Sequence, residues 1–84
     1  DIQEFISLMT TRNNPGFRVE ELSVKVNQRL GPLNLWQVTG CTVLGVKQQQ
    51  DYLMNPPPEH ELRVGQSIIV MGSELQISRV REMI

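Results

Sequence analysis

The sequence has few of the side chains that enzymes and metal sites use. Its 84 residues include one cysteine, one histidine, one tryptophan, one tyrosine and two phenylalanines. Cys41 cannot form an internal disulfide, and a lone cysteine does not make a closed zinc site. A single cysteine also fits a reducing compartment. These scarcities argue against a disulfide scaffold and a structural zinc domain, and they leave few candidates for catalysis.

Long hydrophobic runs and an excess of one charge are missing as well. The longest apolar stretches, residues 41–46 and 68–71, are far shorter than the roughly 20 residues that a membrane helix needs. No secretory signal is visible, and the net charge is −1 with both signs mixed along the chain. A basic stripe, the electrostatic footprint of a nucleic-acid binder, is lacking. We therefore expect no direct membrane insertion and no nucleic-acid partner.

The length predicts one small domain that gains from a partner. A chain of this size buries only roughly 60–65% of the surface that its unfolded state exposes. Its own core is thin, so a second copy or a neighbouring domain is expected to add stability. The chain begins at Asp1 rather than at a methionine, which favours a piece of a larger protein.

The first third of the chain predicts a helix followed by a strand. Apolar residues at i, i+3, i+4 and i+7 give residues 1–10 one helical face. Residues 12–16 form a loop, because Asn-Pro and Pro-Gly steps mark turns. Residues 17–27 alternate as a strand, and the alternation changes phase near residues 20–21, which predicts a bulge or a bend there. We divide the chain into a helix with linker, residues 1–16, and a domain, residues 17–84.

The remainder predicts a helix, three strands and a second helix. Pro32 and Gly40 are typical of the start and stop of a helix over residues 32–39. Strands are predicted at 41–47, 52–54 and 67–71, the first central and the last buried. Ser73 with Gln76 matches a capping box for a final helix, which buries Ile77, Val80 and Ile84. The fold class is thus α+β, with the order β-α-β-β-β-α and an additional N-terminal helix.

Two arrangements could carry chemistry, and for each the structural interpretation is favoured. Cys41 and His60 could form a nucleophile pair, but a buried cysteine usually acts as a small hydrophobe. The run Glu59-His60-Glu61 could hold a hard cation, or it is simply a solvated loop. No glycine-rich phosphate loop is present. We predict no catalytic residues and no metal site.

A shallow pocket is the remaining candidate. The Pro-rich loop 55–58, the turn 30–32 and the strand entry 40–41 could meet in space and form a pocket, or half of one completed by a second chain. Trp36 could stack on a ligand. Alternatively, the prolines only stiffen a hairpin and the tryptophan is a core or interface residue.

Residues 21–84 resemble the TrkA-C family, the C-terminal half of the RCK module that gates potassium channels and transporters. The resemblance rests on the order of four motifs: residues 40–46 (GCTVLGV), the prolines 56–58, the turn 62–66 (LRVGQ), and a strand that ends at Gly72 before a helix. The family usually has Asp where this sequence has Gln66, so the role of that acid in the turn is expected to be lost. Trp36 stands where an Arg is expected.

The resemblance implies a cytoplasmic, homodimeric domain that follows an RCK N-terminal domain or a membrane transport domain, with residues 1–10 as the connecting helix. Some members bind cyclic di-AMP between two copies. The corresponding positions are Leu30, Trp36, Cys41, Thr42, Val43 and Pro58. Two functions stay open: a ligand-sensing regulatory domain of a potassium or other cation channel or transporter, and a ligand-free assembly module. An enzyme is disfavoured because convergent polar groups are few.

Overall fold

A four-stranded antiparallel sheet organises the chain. The computed structural model describes residues 16–84. The sheet contains β1 (Phe17–Ser23), β3 (Thr42–Gln48), β4 (Asp51–Met54) and β6 (Ser67–Ser73), in the spatial order β1-β6-β3-β4. The two central strands are therefore β6 and β3. This confirms the central position predicted for the strand over residues 41–47, whose apolar sequence is typical of a strand buried on both faces.

The other elements are short. A two-stranded ladder joins β2 (Gln28–Arg29) to β5 (Glu61–Leu62). A 3-10 turn (Gly31–Leu33) precedes α1 (Leu35–Thr39), and α2 (Glu74–Met83) follows β6 directly. The predicted α+β class is confirmed. The predicted helix over residues 1–10 lies outside the described residues.

The core lies on one face of the sheet. Leu22, Val46, Ile68 and Val70 point from the strands towards α2, and all four are buried. From the helix, Ile77 and Val80 are at most 1% exposed, and Ile84 is 3% exposed. This confirms the predicted buried face of α2, which follows from the 3.6-residue helical period.

The first strand is shorter than predicted and has no bulge. The β1–β6 ladder runs in unbroken register from Phe17↔Ser73 to Ser23↔Ser67. Beyond Ser23 the backbone turns away from β6, and Lys25 N–H donates to the Ile84 carbonyl at the end of the chain. The irregularity predicted at residues 20–21 lies instead in β3, where the register with β6 shifts between Val43 and Gly45.

The first helix is also shorter than predicted. Asn34 adopts a left-handed conformation (φ 47°), which ends the 3-10 turn and starts α1 at the next residue. Asparagine tolerates this conformation better than most residues. Gly40 ends α1 at φ 86°, and a Cβ built there would lie 2.5 Å from Gln76 Nε2. Positive φ and the close approach of α2 therefore both favour glycine at position 40.

The predicted capping box at α2 is confirmed. Gln76 N–H donates to Ser73 Oγ at 3.2 Å, and Ser73 N–H donates to Gln76 Oε1 at 2.9 Å. These two bonds satisfy backbone donors that the first turn of a helix otherwise leaves free. The Gln76 side chain thereby stays beside the start of α2, where it also contacts the end of α1.

Candidate functional site

A cleft opens between the 3-10 turn, α1 and the Pro-rich loop. Its volume is about 460 Å³, within the range of roughly 300–1,000 Å³ that small-molecule sites occupy. Buried side chains form its floor, among them Leu30, Leu35 and Cys41. Val43, on β3, extends the floor beside Cys41. Apolar packing below the cleft therefore gives it a fixed base.

Backbone hydrogen bonds hold the two walls together. Leu30 N–H donates to the His60 carbonyl at 3.0 Å, and Gly31 N–H donates to the Pro58 carbonyl at 2.7 Å. A Cβ at Gly31 would lie only 2.9 Å from the Pro58 carbonyl oxygen, so glycine permits this approach. Because Pro56 and Pro58 have fixed φ, the loop presents a stiff wall to the cleft.

The rim on α1 carries the most accessible side chains. Leu35 and Thr39, four residues apart, face the interior, which leaves Trp36 and Gln37 on the outer side. Trp36 is 69% exposed. Thr39 Oγ1 donates to the Leu35 carbonyl at 2.6 Å and accepts from Cys41 N–H at 3.1 Å. These bonds tie the end of α1 to the residue that begins the cleft floor.

Every described residue that lines the cleft is uncharged. Besides the residues above, Asn34 and Thr42 line it and add an amide and a hydroxyl. Burial raises the pKa of the Cys41 thiol, an effect that the neighbouring Thr39 partly offsets. The thiol is therefore neutral near pH 7, and the cysteine side chain has no solvent exposure. The arrangement suits apolar contact, stacking and hydrogen bonding with neutral groups.

The structure brings all six predicted site residues to this one cleft. These residues are Leu30, Trp36, Cys41, Thr42, Val43 and Pro58. The predicted meeting of the Pro-rich loop, the Leu30–Gly31 turn and the strand entry is thus confirmed as geometry, while ligand binding by these residues stays a prediction. Sequence reasoning missed Asn34, Leu35 and Gln37. Leu35 and Gln37 lie in the same short helix as Trp36, and Asn34 directly precedes it; this proximity was the available signal.

The charged loop around His60 has other contacts. The side-chain amide nitrogen of Gln48 lies 3.2 Å from His60 Nε2, and Arg63 donates to Glu61 at 2.6 Å. Within residues 16–84 no group of three or more His, Cys, Asp or Glu side chains is placed to hold a metal ion. The absence of a metal site in the whole protein stays a prediction.

The turn before β6 keeps a side-chain acceptor at Gln66. Arg63 N–H donates to Gln66 Oε1 at 3.1 Å, and Gln66 N–H donates to the Arg63 carbonyl at 3.0 Å. An amide oxygen thus serves as acceptor in this turn, while the expected loss of the acid's own role stays a prediction.

Among the described residues, no helix has the length and apolar character needed to cross a membrane.

Comparison with known proteins identifies relatives by sequence. The sequence profile of the TrkA-C domain matches residues 16–84. Over 68 residues, 81% of this chain, the sequence is 28% identical to "Probable potassium channel protein 2" of Methanocaldococcus jannaschii. The chain spans 20% of the length of that relative.

Solved structures share the fold. The RCK C domain of the potassium transport protein KtrA, in complex with cyclic di-AMP, matches with a TM-score of 0.80 and 17% identity, over 99% of this chain and 95% of that one. An RCK_C domain dimer of S. agalactiae BusR in complex with cyclic di-AMP matches with a TM-score of 0.68 and 22% identity, over 80% of this chain and 89% of that one. The predicted fold family is therefore confirmed.

A third match bears on the expected partners. S. agalactiae BusR in complex with its busAB promoter DNA matches with a TM-score of 0.69 and 22% identity, over 96% of this chain and 42% of that one. The DNA complex is a property of BusR, of which more than half lies outside the match. The absence of a nucleic-acid partner for this chain stays a prediction.

Proposed function

The chain belongs to the TrkA-C domain family, and on that basis we propose that it is a ligand-sensing, dimerising regulatory domain of a potassium or other cation channel or transporter. The observation that carries the proposal is the cleft beside α1, which gathers all six residues that the sequence singled out. A preformed cleft with an apolar floor and a few polar groups at its rim is the usual form of a small-molecule site.

Dimerisation is supported by the surface around the cleft. Trp36 and Val38 on α1 are 69% and 56% exposed, so this short helix offers a second copy two large apolar side chains, one on each side of its buried face. The domain is small, so the area buried against a second copy adds substantially to its stability. A two-fold arrangement that pairs the two α1 helices places the two clefts side by side.

Regulation then follows from a shift in the populations of two relative arrangements of the two copies. A ligand that contacts both copies favours the relative arrangement in which those contacts are made. The shift cannot exceed the difference in ligand affinity between the two arrangements. Residues 1–16 link this domain to a preceding RCK N-terminal or membrane transport domain, and the domain works in the cytoplasm without catalysis of its own.

Two measurements test the proposal: the mass of the protein in solution and its thermal midpoint with added ligands. Cyclic di-AMP, other nucleotides and divalent cations are added one at a time at fixed protein concentration. We expect a dimer that at least one compound stabilises, since a ligand present at 100 times its Kd adds about 2.7 kcal/mol. A monomer that no compound stabilises would contradict both parts of the proposal.

A matched pair of variants locates the interface. Val38→Glu places a charge on the outer side of α1 and is expected to weaken the dimer at least about tenfold, because an unpaired charge opposes burial. Val64→Glu changes a similarly exposed valine, 61% accessible, in the turn before β6. We expect it to leave the dimer intact. Equal effects of the two substitutions would place the interface elsewhere.

The second candidate function is a ligand-free assembly module. The same exposed side chains of α1 favour it, because they need only a second copy as partner. A dimer that is indifferent to every compound in the thermal measurement would support this alternative over ligand sensing.

A further inference from the structure

We infer that the cleft selects an uncharged, planar heterocycle of the nucleoside class over a ligand that carries phosphate, that its uncharged lining sets this selectivity, and that Trp36 supplies the surface on which the heterocycle stacks. The inference rests on the proposed ligand-sensing function and names the chemistry of its ligand. It follows from the charge of the lining, from the symmetry of a dimer and from the exposure of one indole ring.

The charge of the lining disfavours a phosphate group. Among residues 16–84, no lysine, arginine or histidine side chain lines the cleft; the polar side chains there are Asn34, Gln37 and Thr42. Phosphates in proteins are usually held by Arg forks or Lys ammonium groups, whose charge compensates the lost hydration of the anion. In this lining no charged side chain compensates the lost hydration of an anion, and only neutral groups are available to it. Amide and hydroxyl groups, in contrast, match the hydrogen-bonding edges of a neutral base.

Dimer symmetry does not supply the missing cation. In a two-fold dimer both copies contribute the same patch of surface. Joining two such clefts therefore doubles the amides, the hydroxyls and the indole rings, and it adds no positive charge from the lining. A site formed by the two linings alone therefore keeps the selectivity that a single lining has.

Trp36 supplies the flat surface that a heterocycle needs. Its side chain lies at the rim with 69% exposure, so a ring can approach the indole without displacing core residues. Stacking of a base on an aromatic side chain changes affinity by roughly 5- to 150-fold. Because Trp36 belongs to α1, whose Leu35 and Thr39 are buried, the packing of this helix fixes where the ring stands.

Calorimetric titration of the 84-residue protein with adenosine, AMP and cyclic di-AMP tests the inference. Adenosine and AMP share base and sugar and differ only in the phosphate. We expect adenosine to bind at least about tenfold more tightly than AMP, which reflects the charge-assisted bonds that the cleft lacks. Cyclic di-AMP is expected to bind more weakly than adenosine as well.

Three variants separate stacking from charge. Trp36→Ala should weaken adenosine at least about fivefold, and Trp36→Phe should retain most of the affinity. Gln37→Arg adds a cation and leaves the indole in place, so it should strengthen AMP by about tenfold without weakening adenosine. Both positions are exposed, and unchanged thermal midpoints of the variants would show that they fold normally.

Each outcome has a defined meaning. AMP or cyclic di-AMP binding the unsubstituted protein as tightly as adenosine would overturn the inference and leave ligand sensing in place. Failure of all three to bind, while another compound stabilises the dimer, would overturn the nucleoside class alone. A dimer that nothing stabilises would overturn both the inference and ligand sensing. Loss of adenosine binding in Trp36→Ala, together with a gain for AMP in Gln37→Arg, would support it.

Discussion

Gly31 is the residue whose substitution most directly tests how the cleft is built. An alanine Cβ there would lie 2.9 Å from the Pro58 carbonyl oxygen and 3.0 Å from the Pro58 Cβ. Ordinary contacts at such atoms begin at 3.4 Å, so the turn and the loop must separate by about 0.5 Å. The hydrogen bond from Gly31 N–H to Pro58, now 2.7 Å, would then stretch towards the upper limit of useful geometry.

The expected cost follows from these distances. Overpacking of a fitted contact costs about 1–3 kcal/mol. Replacing glycine by alanine also lowers the conformational entropy of the unfolded chain, which stabilises the folded state by about 0.4–1 kcal/mol. At the middle of both ranges the net destabilisation by Gly31→Ala is about 1.3 kcal/mol, or a fall in thermal midpoint of about 5–10 °C for a domain of this size. Ligand affinity should fall as well, because one wall of the cleft moves.

Urea and thermal denaturation at fixed protein concentration measure the effect, with Gly16→Ala as the control. A Cβ at Gly16 meets nothing within 4 Å, so this substitution carries the same change in the unfolded chain without a clash. We expect it to be neutral or slightly stabilising. If Gly31→Ala were as stable as Gly16→Ala, the close approach of turn and loop would be wrong, and with it the stiff wall of the cleft.

Three further predictions concern the scaffold. Ser73→Ala removes the acceptor of the Gln76 N–H bond and should cost about 1 kcal/mol in urea denaturation; no loss would contradict the capping box. Gly72→Ala would place a Cβ 2.6 Å from Cys41 Sγ and cost about 1–3 kcal/mol; in a Cys41→Ala background we expect at least about 0.5 kcal/mol less, whereas strict additivity would show that the two residues do not touch. Burial raises the pKa of the Cys41 thiol in the folded protein above its ordinary value of 9.0. The contribution of this thiol to the free energy of unfolding is therefore constant below about pH 9. Above that pH the unfolded chain loses the proton first, and the free energy of unfolding falls by up to about 1.4 kcal/mol per pH unit until the folded pKa is reached. Cys41→Ala should lack this slope, and an identical slope in both proteins would contradict the burial argument.

Local sequence signals were sufficient for most of the secondary structure. The capping box at Ser73, the buried face of α2 and the turn before β6 depend on residues within about four positions of each other. Hydrogen bonds and side-chain contacts at such short separations depend mainly on neighbouring residues, so the sequence pattern of one segment is enough to predict them. Each motif behind the resemblance to the TrkA-C family is also a short segment of the sequence.

Contacts between residues far apart in the sequence decided the features that local patterns did not predict. The strand β1 ends at Ser23, and soon after it Lys25 N–H bonds to the carbonyl of Ile84, more than forty positions away, instead of continuing along β6. The ladder of β2 and β5 has two residues in each strand, too few for a periodic pattern to appear. The order β1-β6-β3-β4 likewise depends on pairings between strands far apart in sequence.

For the candidate site, the sequence by itself determined which residues are present: a proline-rich loop, a glycine turn and one tryptophan beside a short helix. Only the tertiary structure decided that they share one cleft and that the cleft lining within residues 16–84 carries no charged side chain. The physical reason is that a pocket is formed by segments whose approach is set by the packing of the whole core. Leu30, Cys41 and Pro58 meet because the sheet and the short ladder hold them there, and no pattern within any one segment encodes that meeting.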